Sequence, residues 1–471
     1  MSLSIIQKPT PSPFYKLYEV NRPVIYSVKE TATGSMFNHK YVAYIYLGTT
    51  NNPHTYATPI ILKVTPNVND VGIFDISSIV QSYVGPQFVP SDSATLSLSS
   101  YSTNNRFSIH EIDRFSRNTG TIKYCSVQFF NYYASTVDGI PATDTSTLVT
   151  SDVIRITNGV LDVTDRLSLH NYESIYYYDE KGVTRFSNTI EYDTSNVLTE
   201  STTNQEIGTN EYHTVSFYNG VKANDDYGLA STFFRFYSEP NGEGTQIGNF
   251  GINHTTGHGG ATTNTGTVND STQEQIFAGV GTANITNVGQ TIPSNWNSYK
   301  VQFVTHTGII GMNEIIFNRR YDCIDYEVIR LCWVNKYGAW DYYSYPLRNV
   351  RTTKYKRSTY RPVHGDWSNS LGYEMLPHHG GEQVFNINNE EELTLQTNYI
   401  TQAEATFLSR VYSSPFVGII SDNGVDSTRQ GRFELVTVLD NIFTKKTTAN
   451  DDIIQYTLKI KKSKNNYTHR V

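Results

Sequence analysis

Apolar and polar positions alternate with a period of two through most of this chain. "YVAYIYLG" (41–48), "TPIILKVT" (58–65), "TIKYCSVQFF" (121–130), "STFFRFYS" (231–238), "SYKVQFVTH" (298–306) and "FELVTVLD" (433–440) all read as strands. In "IIQYTLKIKK" (453–462), Tyr456, Leu458 and Ile460 fall on one side and Thr457, Lys459 and Lys461 on the other. That pattern predicts an antiparallel strand buried on one face. Clusters of Asn, Gly, Asp, Ser and Thr separate the runs, often about ten residues apart, the spacing of sandwiches and barrels. The expectation is a mainly β, antiparallel, multi-domain β-sandwich-like fold with a few short helices.

Two segments break the alternation. "FDISSIVQSYVGP" offers Ser77 as an N-cap, Ile79, Val80 and Tyr83 on one face, and Gly85 and Pro86 as the stop. "ITQAEATFLSRVYSSP" carries a capping box, with Thr401 accepting from the Glu404 amide and Glu404 reaching back. Phe407, Leu408, Val411 and Tyr412 then form a stripe suited to lying on a sheet, which predicts a helix over 401–412. The stretch 240–297 is rich in Gly, Asn and Thr with few apolar anchors, and reads as a long surface insertion. The boundaries that follow are an N-terminal β domain over 1–155, a middle β domain over 156–350 and a C-terminal β-rich domain over 351–471.

"EVIRLCWVN" and "AWDYYSY" are expected to form a hairpin around Asn335-Lys336-Tyr337-Gly338, with Gly338 at the positive-φ position. A four-residue loop sets Trp333 opposite Trp340 and Leu331 opposite Tyr342. The other face, with Cys332, Tyr343 and Tyr345, is also largely apolar, so cover is expected on both sides. A ligand platform leaves its rings exposed beside Asn, Asp or Arg. Rings on strands beside a tight turn favour packing or an interface.

Composition narrows the function classes. Aromatics reach 13%, with 35 Tyr and 22 Phe, whereas charged residues are 17% and the net charge is −7. Tyrosine suits contacts that are apolar on one side and wet at the tip. There is no global basic field to attract nucleic acid. Three cysteines in 471 residues argue against a disulfide framework. The first residues, "MSLSIIQKPTPSPFYKLYEV", do not read as a signal peptide, and no run approaches the ~18 apolar residues of a membrane span.

Catalytic spacings are missing. There is no Walker loop, G-x-S-x-G, H-E-x-x-H or C-x-x-C. His254 and His258 are four apart, but in the glycine-rich stretch they read as solvated loop residues. His364, Asp366, His378, His379 and Glu382 make the densest His/carboxylate cluster, in no defensible metal spacing. "SDNGVDS" (421–427) lacks the acid ladder of a calcium loop and reads first as a turn. No cofactor or metal is expected. "RTTKYKRSTYR" (351–361) interleaves Arg351, Lys354, Lys356, Arg357 and Arg361 with tyrosines, which suits a phosphate backbone, a solvated connector or a patch that meets an acidic neighbour. The overall acidity favours the neighbour. The lysine-rich end "KIKKSKNNYTHR" reads as a charged edge strand and tail.

The order of "FDISSIVQSYVG", "YEVIRLCWVNKYGAWDYYSY", "ITQAEATFLSRVYSSPFVGII" and the final strand pair resembles tailed-bacteriophage virion proteins of the minor tail or baseplate kind. The likeness covers 20–85 and 320–460 and consists of hairpin, capping and packing signals, so no enzyme residue carries over. It implies a β-rich structural component of the tail, baseplate or neck, not an enzyme, located in a virion assembled in the host cytoplasm. Its expected partners are copies of itself in a symmetric ring and other virion proteins, with no membrane. One alternative is a receptor- or carbohydrate-binding module with its rings around Trp296, which leaves a glycan receptor possible. A β-fold glycosidase with two carboxylates across a cleft is the other.

Overall fold

The structure is a computed structural model that describes residues 3–9, 17–49, 53–88, 108–112, 115–118, 120–160, 197–202, 204–219, 229–253, 274–305, 314–321, 326–362, 365, 373, 377, 380–420, 433–445, 454–463 and 466–467. Strands dominate it, and the helices are few and short.

The first third contains β1 Leu3–Gln7, β2 Leu17–Glu19, β3 Ile25–Glu30, β4 Phe37–Gly48, helix α1 Pro53–Tyr56, β5 Ile60–Val64, β6 Val71–Asp75 and helix α2 Ser77–Tyr83. β7 Phe115–Asn118, β8 Ile122–Ala134, β9 Ala142–Thr150 and β10 Ile154–Thr157 follow. The order β1-β3-β6 makes one sheet and β2-β10-β8-β4-β5, with β9 on β8, another. Tyr26, Val28, Tyr41, Ala43, Ile45, Phe74, Val127 and Phe129 meet in one core. Helix α2 starts differently from expectation. Ile76 occupies the N-cap position without a side-chain cap bond. The Ser77 hydroxyl instead accepts from the Val24 amide at 2.8 Å and lies 2.5 Å from Asp75 Oδ1. A hydroxyl already engaged by the Val24 amide and by Asp75 does not cap its own helix.

The middle third contains β11 Asn204–Ile207, β12 Thr214–Asn219, β13 Leu229–Tyr237, β14 Gln246–Asn253, β15 Glu274–Gly279, helix α3 Thr282–Asn287, β16 Ser298–Thr305 and β17 Ile315–Arg319. They form the sheets β11-β17-β16-β13-β14 and β12-β15-β7. The insertion expected over 240–297 is corrected at both flanks. β14 pairs with β13 and β15 with β12. Ile252, Ala278, Val280, Ile285 and Trp296 enter the core with Phe234, Phe236 and Tyr299. The anchors are few, but Ile252 and Ala278 reach the core from strands, Ile285 from helix α3 and Trp296 from the turn before β16, so a low apolar count still fills a core. His254 and His258 lie outside the described residues.

The last third contains β18 Ile329–Val334, β19 Trp340–Tyr345, β20 Val350–Tyr360, β21 Gln383–Gln396, helices α4 Gln402–Leu408 and α5 Arg410–Ser413, β22 Val417–Ile420, β23 Phe433–Val438, β24 Thr457–Lys462 and β25 Asn466–Tyr467. One eight-stranded sheet runs β19-β18-β22-β23-β24-β21-β20, with β25 on β21. The hairpin expected to close a middle domain at 350 thus joins the C-terminal sheet through β18 and β22. The capping box of α4 is present: the Glu404 amide donates to Thr401 Oγ1 at 3.3 Å and the Thr401 amide to Glu404 Oε2 at 2.8 Å. Phe407, Leu408 and Val411 bury with Leu331, Trp333, Leu458 and Ile460.

By backbone proximity the chain divides into two units. One holds Met1–Arg320, Val334–Asp341 and residues 426–431; the other holds Tyr321–Trp333, Tyr342–Val425 and Arg432–Val471.

Candidate interaction surface

The hairpin turn is one residue tighter than its sequence suggests. The Asn335 amide donates to Ala339 O at 2.8 Å and the Gly338 amide to Asn335 O at 3.0 Å, leaving a three-residue loop of Lys336, Tyr337 and Gly338. Gly338 sits at φ 78°, closing a type I turn with a left-handed residue. The Asn335 side chain sets this geometry, because its Oδ1 accepts from the Tyr337 and Ala339 amides at 3.0 and 3.1 Å. Its Nδ2 donates to Leu198 O at 2.9 Å.

A shift of one residue inverts the faces. Trp333 is therefore not paired with Trp340, nor Leu331 with Tyr342. Leu331 and Trp333 share a core with Tyr345, against which Tyr343 packs. The Trp333 ring lies 5.0 Å from Phe407, and Tyr343 meets Tyr345 edge-on at 5.1 Å. Tyr342 lies on the alternate face beneath the Arg330 guanidinium at 5.3 Å, and Arg330 Nη1 donates to Ser344 Oγ at 2.7 Å. Trp340 donates from Nε1 to Gln87 O at 2.9 Å and meets Phe88 and His110 edge-on at 5.6 and 4.8 Å. Both indoles are buried.

Trp296, the ring on which the alternative glycan platform would centre, is also buried. It packs on Tyr299 at 5.5 Å with the Arg319 guanidinium 5.5 Å away. Three of the four tryptophans are thus covered, and Trp367 lies outside the described residues.

The structure brings together two titratable arrangements that the sequence did not signal. Asp341 is buried, accepting from the Thr199 hydroxyl on Oδ1 and from the Glu200 amide on Oδ2 at 3.1 Å. Burial pushes its carboxyl up to about 7, the Glu200 charge adds to this, and the bonds from Thr199, Glu200 and Asn335 oppose it. The Lys336 amide donates to Glu200 Oε2 at 3.3 Å. The second arrangement is a Ser/His contact, Ser126 Oγ to His54 Nε2 at 3.1 Å. Ser126 is fully buried, and among the described residues His54 Nδ1 has no hydrogen-bond partner. Burial lowers the His54 pKa. Nucleophilic catalysis needs an accessible hydroxyl and an oriented base. Both arrangements bond one chain segment to another.

Among the described residues no three His, Cys, Asp or Glu side chains gather as metal ligands. Glu382 is exposed. His364, Asp366, His378, His379 and the segment 421–427 lie outside the described residues. Cys125 and Cys332 are buried, and burial pushes the pKa of each thiol up. Among the described residues no helix is long and apolar enough to cross a membrane.

The basic stretch 351–361 becomes an ion-pair ladder. β20 and β21 pair antiparallel from Val350↔Thr394 to Tyr360↔Gln383, which sets "EEE" (390–392) across from Thr352, Thr353 and Lys354 and within diagonal reach of the cations on either side. Arg351 grips Glu327 through Nη2 at 2.6 and 2.7 Å and reaches Glu391 at 3.6 Å. Lys354 meets Glu392 at 2.5 Å and Lys356 meets Glu390 at 3.2 Å. From β24, Lys461 and Lys462 join Glu390 and Glu391 at 3.8 and 3.3 Å. Lys356 above all, then Lys461 and Lys354, holds the Glu390 carboxyl below its usual range. Arg357 lies 5.8 Å from the Tyr355 ring, and among the described residues neither it nor Arg361 meets a carboxylate.

All eleven residues of β20 are exposed. Tyr355 is 54% exposed and Phe385 58%. Phe385 is the extra residue of a bulge, since Ser358 pairs with Asn386 and Thr359 with Val384. Its ring meets Tyr360 edge-on at 6.3 Å. β20 is an edge strand uncovered on both faces. No protein family model matches this chain, and no curated protein matches it in sequence.

Proposed function

We propose that this chain is a structural component of a tailed-bacteriophage particle, from the tail, baseplate or neck, that assembles with copies of itself and with other virion proteins. One observation carries the reading: β20 is exposed along its whole length, yet it is an ordered strand paired with β21 from Val350 to Tyr360. An isolated ribbon with both faces wet gains nothing from burial. Covering Tyr355, Tyr360 and Phe385 would contribute about 25 cal/mol per Å² of apolar surface removed from water. The order of the hairpin, helix and final strand signals supports the virion setting.

Stable assembly calls for interfaces of roughly 2,000 Å² or more in total. Sedimentation equilibrium of the purified chain tests this. The expected result is a mass that is a multiple of 53.2 kDa at micromolar concentration. A monomer at every concentration, with no binding to virion proteins of the same particle, overturns the proposal.

A further inference from the structure

We infer that the outer edge of β20 takes up an extended, carboxylate-bearing segment of another protein as an added antiparallel strand. This deepens the assembly reading and rests on it for the partner being a virion protein. The chemistry of the edge is argued from the sheet alone.

β20 ends its sheet. β21 occupies one edge over the full length of the strand, and among the described residues no strand pairs with the other. A strand of eleven residues offers about 37 Å of outward backbone donors and acceptors at roughly 3.4 Å per residue. Thr352, Thr353, Tyr355, Ser358, Thr359 and Tyr360 supply a surface suited to pleated pairing. Main-chain bonds of this kind give affinity, and side-chain pairs across the new seam give selectivity.

The charge pattern decides the occupant. From Val350 to Arg361 the chain carries Arg351, Lys354, Lys356, Arg357 and Arg361 and no carboxylate. A neutral strand added here would desolvate cations without compensation, which is how charged edges resist indiscriminate pairing. A second copy of β20 would set one all-cationic strand beside another, and like charges across a seam destabilise it. A strand bearing Asp or Glu meets Arg357 and Arg361, which have no carboxylate partner among the described residues. It also shares Lys354 and Lys356 with Glu392 and Glu390. The same cations exclude the wrong partner and admit the right one.

The test uses the full chain and three synthetic peptides as long as the strand. One alternates Glu with Val and Thr, one carries Gln for Glu, and one carries Lys for Glu. Fluorescence anisotropy should show the Glu peptide binding, more weakly as salt rises, and about tenfold more tightly than the Gln peptide, with no binding of the Lys peptide. Hydrogen exchange should slow at amides within 350–361 when the Glu peptide is bound. The double variant Arg357→Glu/Arg361→Glu, with both changes at exposed positions, should lose about tenfold in Glu-peptide affinity while keeping its melting temperature. Equal binding of the Glu and Lys peptides, an unchanged affinity in the double variant, or binding without protection of 350–361 overturns the inference. A chain that assembles but ignores the Glu peptide sinks this inference alone; a chain that binds the peptide but never assembles sinks only the assembly reading.

Discussion

Thr199 and Asp341 are joined by a hydrogen bond across 142 positions of sequence, the threonine hydroxyl donating to a carboxylate that is fully buried. The bond is charge-assisted only while Asp341 is ionised, so its worth follows pH. Asp341 titrates near 7 in the folded chain against 3.8 for an ordinary aspartate. Because the folded state holds its proton more tightly, the contribution of this group to stability is greatest below about pH 4. It falls as pH rises to about 7 and is flat above that. Thr199→Val should cost about 1–3 kcal/mol. The loss should be larger at pH 8 than at pH 5, as checked by urea unfolding at both values. A loss independent of pH would show that Asp341 keeps one protonation state throughout.

Asn335 and Gly338 define the turn together. Asn335→Ala removes two acceptor contacts and one donor contact and should destabilise by about 2–3 kcal/mol. Asn335→Asp keeps the acceptors for Tyr337 and Ala339 but loses the donor to Leu198 and sets a second buried carboxyl beside Asp341, so it should cost at least as much as Asn335→Ala. Gly338→Ala should be the most damaging of the three. At φ 78° a side chain is already strained, and a Cβ would stand 1.7 Å from Asn158 O, a backbone atom with little room to yield. Thermal melts of the three variants give the ranking directly.

The two hairpin tryptophans should respond differently to the same substitution. Trp333 Nε1 has no hydrogen-bond partner among the described residues, so Trp333→Phe removes volume only. Trp340→Phe also takes away the donor to Gln87 O. An extra cost of about 1–3 kcal/mol for Trp340→Phe is expected from the carbonyl left behind. Trp333→Ala, by contrast, should cost about 3–5 kcal/mol through the cavity beside Phe407. Denaturant midpoints at constant m-value measure all three.

The ladder between β20 and β21 should matter little to stability. Lys354 is about half exposed, and exposed ion pairs exchange one hydrated state for another. Lys354→Ala should leave the melting temperature nearly unchanged, and added salt should erase the remaining difference. A large salt-resistant loss would mean the ribbon is covered in solution.

Local chemistry alone made several features legible. Period-two alternation placed Leu458 and Ile460 inward and Thr457 and Lys459 outward. The spacing of Thr401 and Glu404 specified a helix start, and the need for positive φ marked Gly338. Each depends on residues a few positions apart, whose relative geometry the backbone restricts to few choices.

Tertiary structure decided the rest. Alternation states that Trp333 and Leu331 share a face, but the hairpin register depends on whether the loop holds three residues or four. The Asn335 side chain settles that, with Nδ2 anchored on Leu198 O. The five cations of 351–361 read as an open basic patch until the sheet sets Glu390, Glu391 and Glu392 beside three of them. Ser77 reads as a helix cap until the Val24 amide claims its hydroxyl. In each case a polar group is claimed by a partner far along the chain. Periodicity and composition carry no information about that partner, because only folding brings the two within reach.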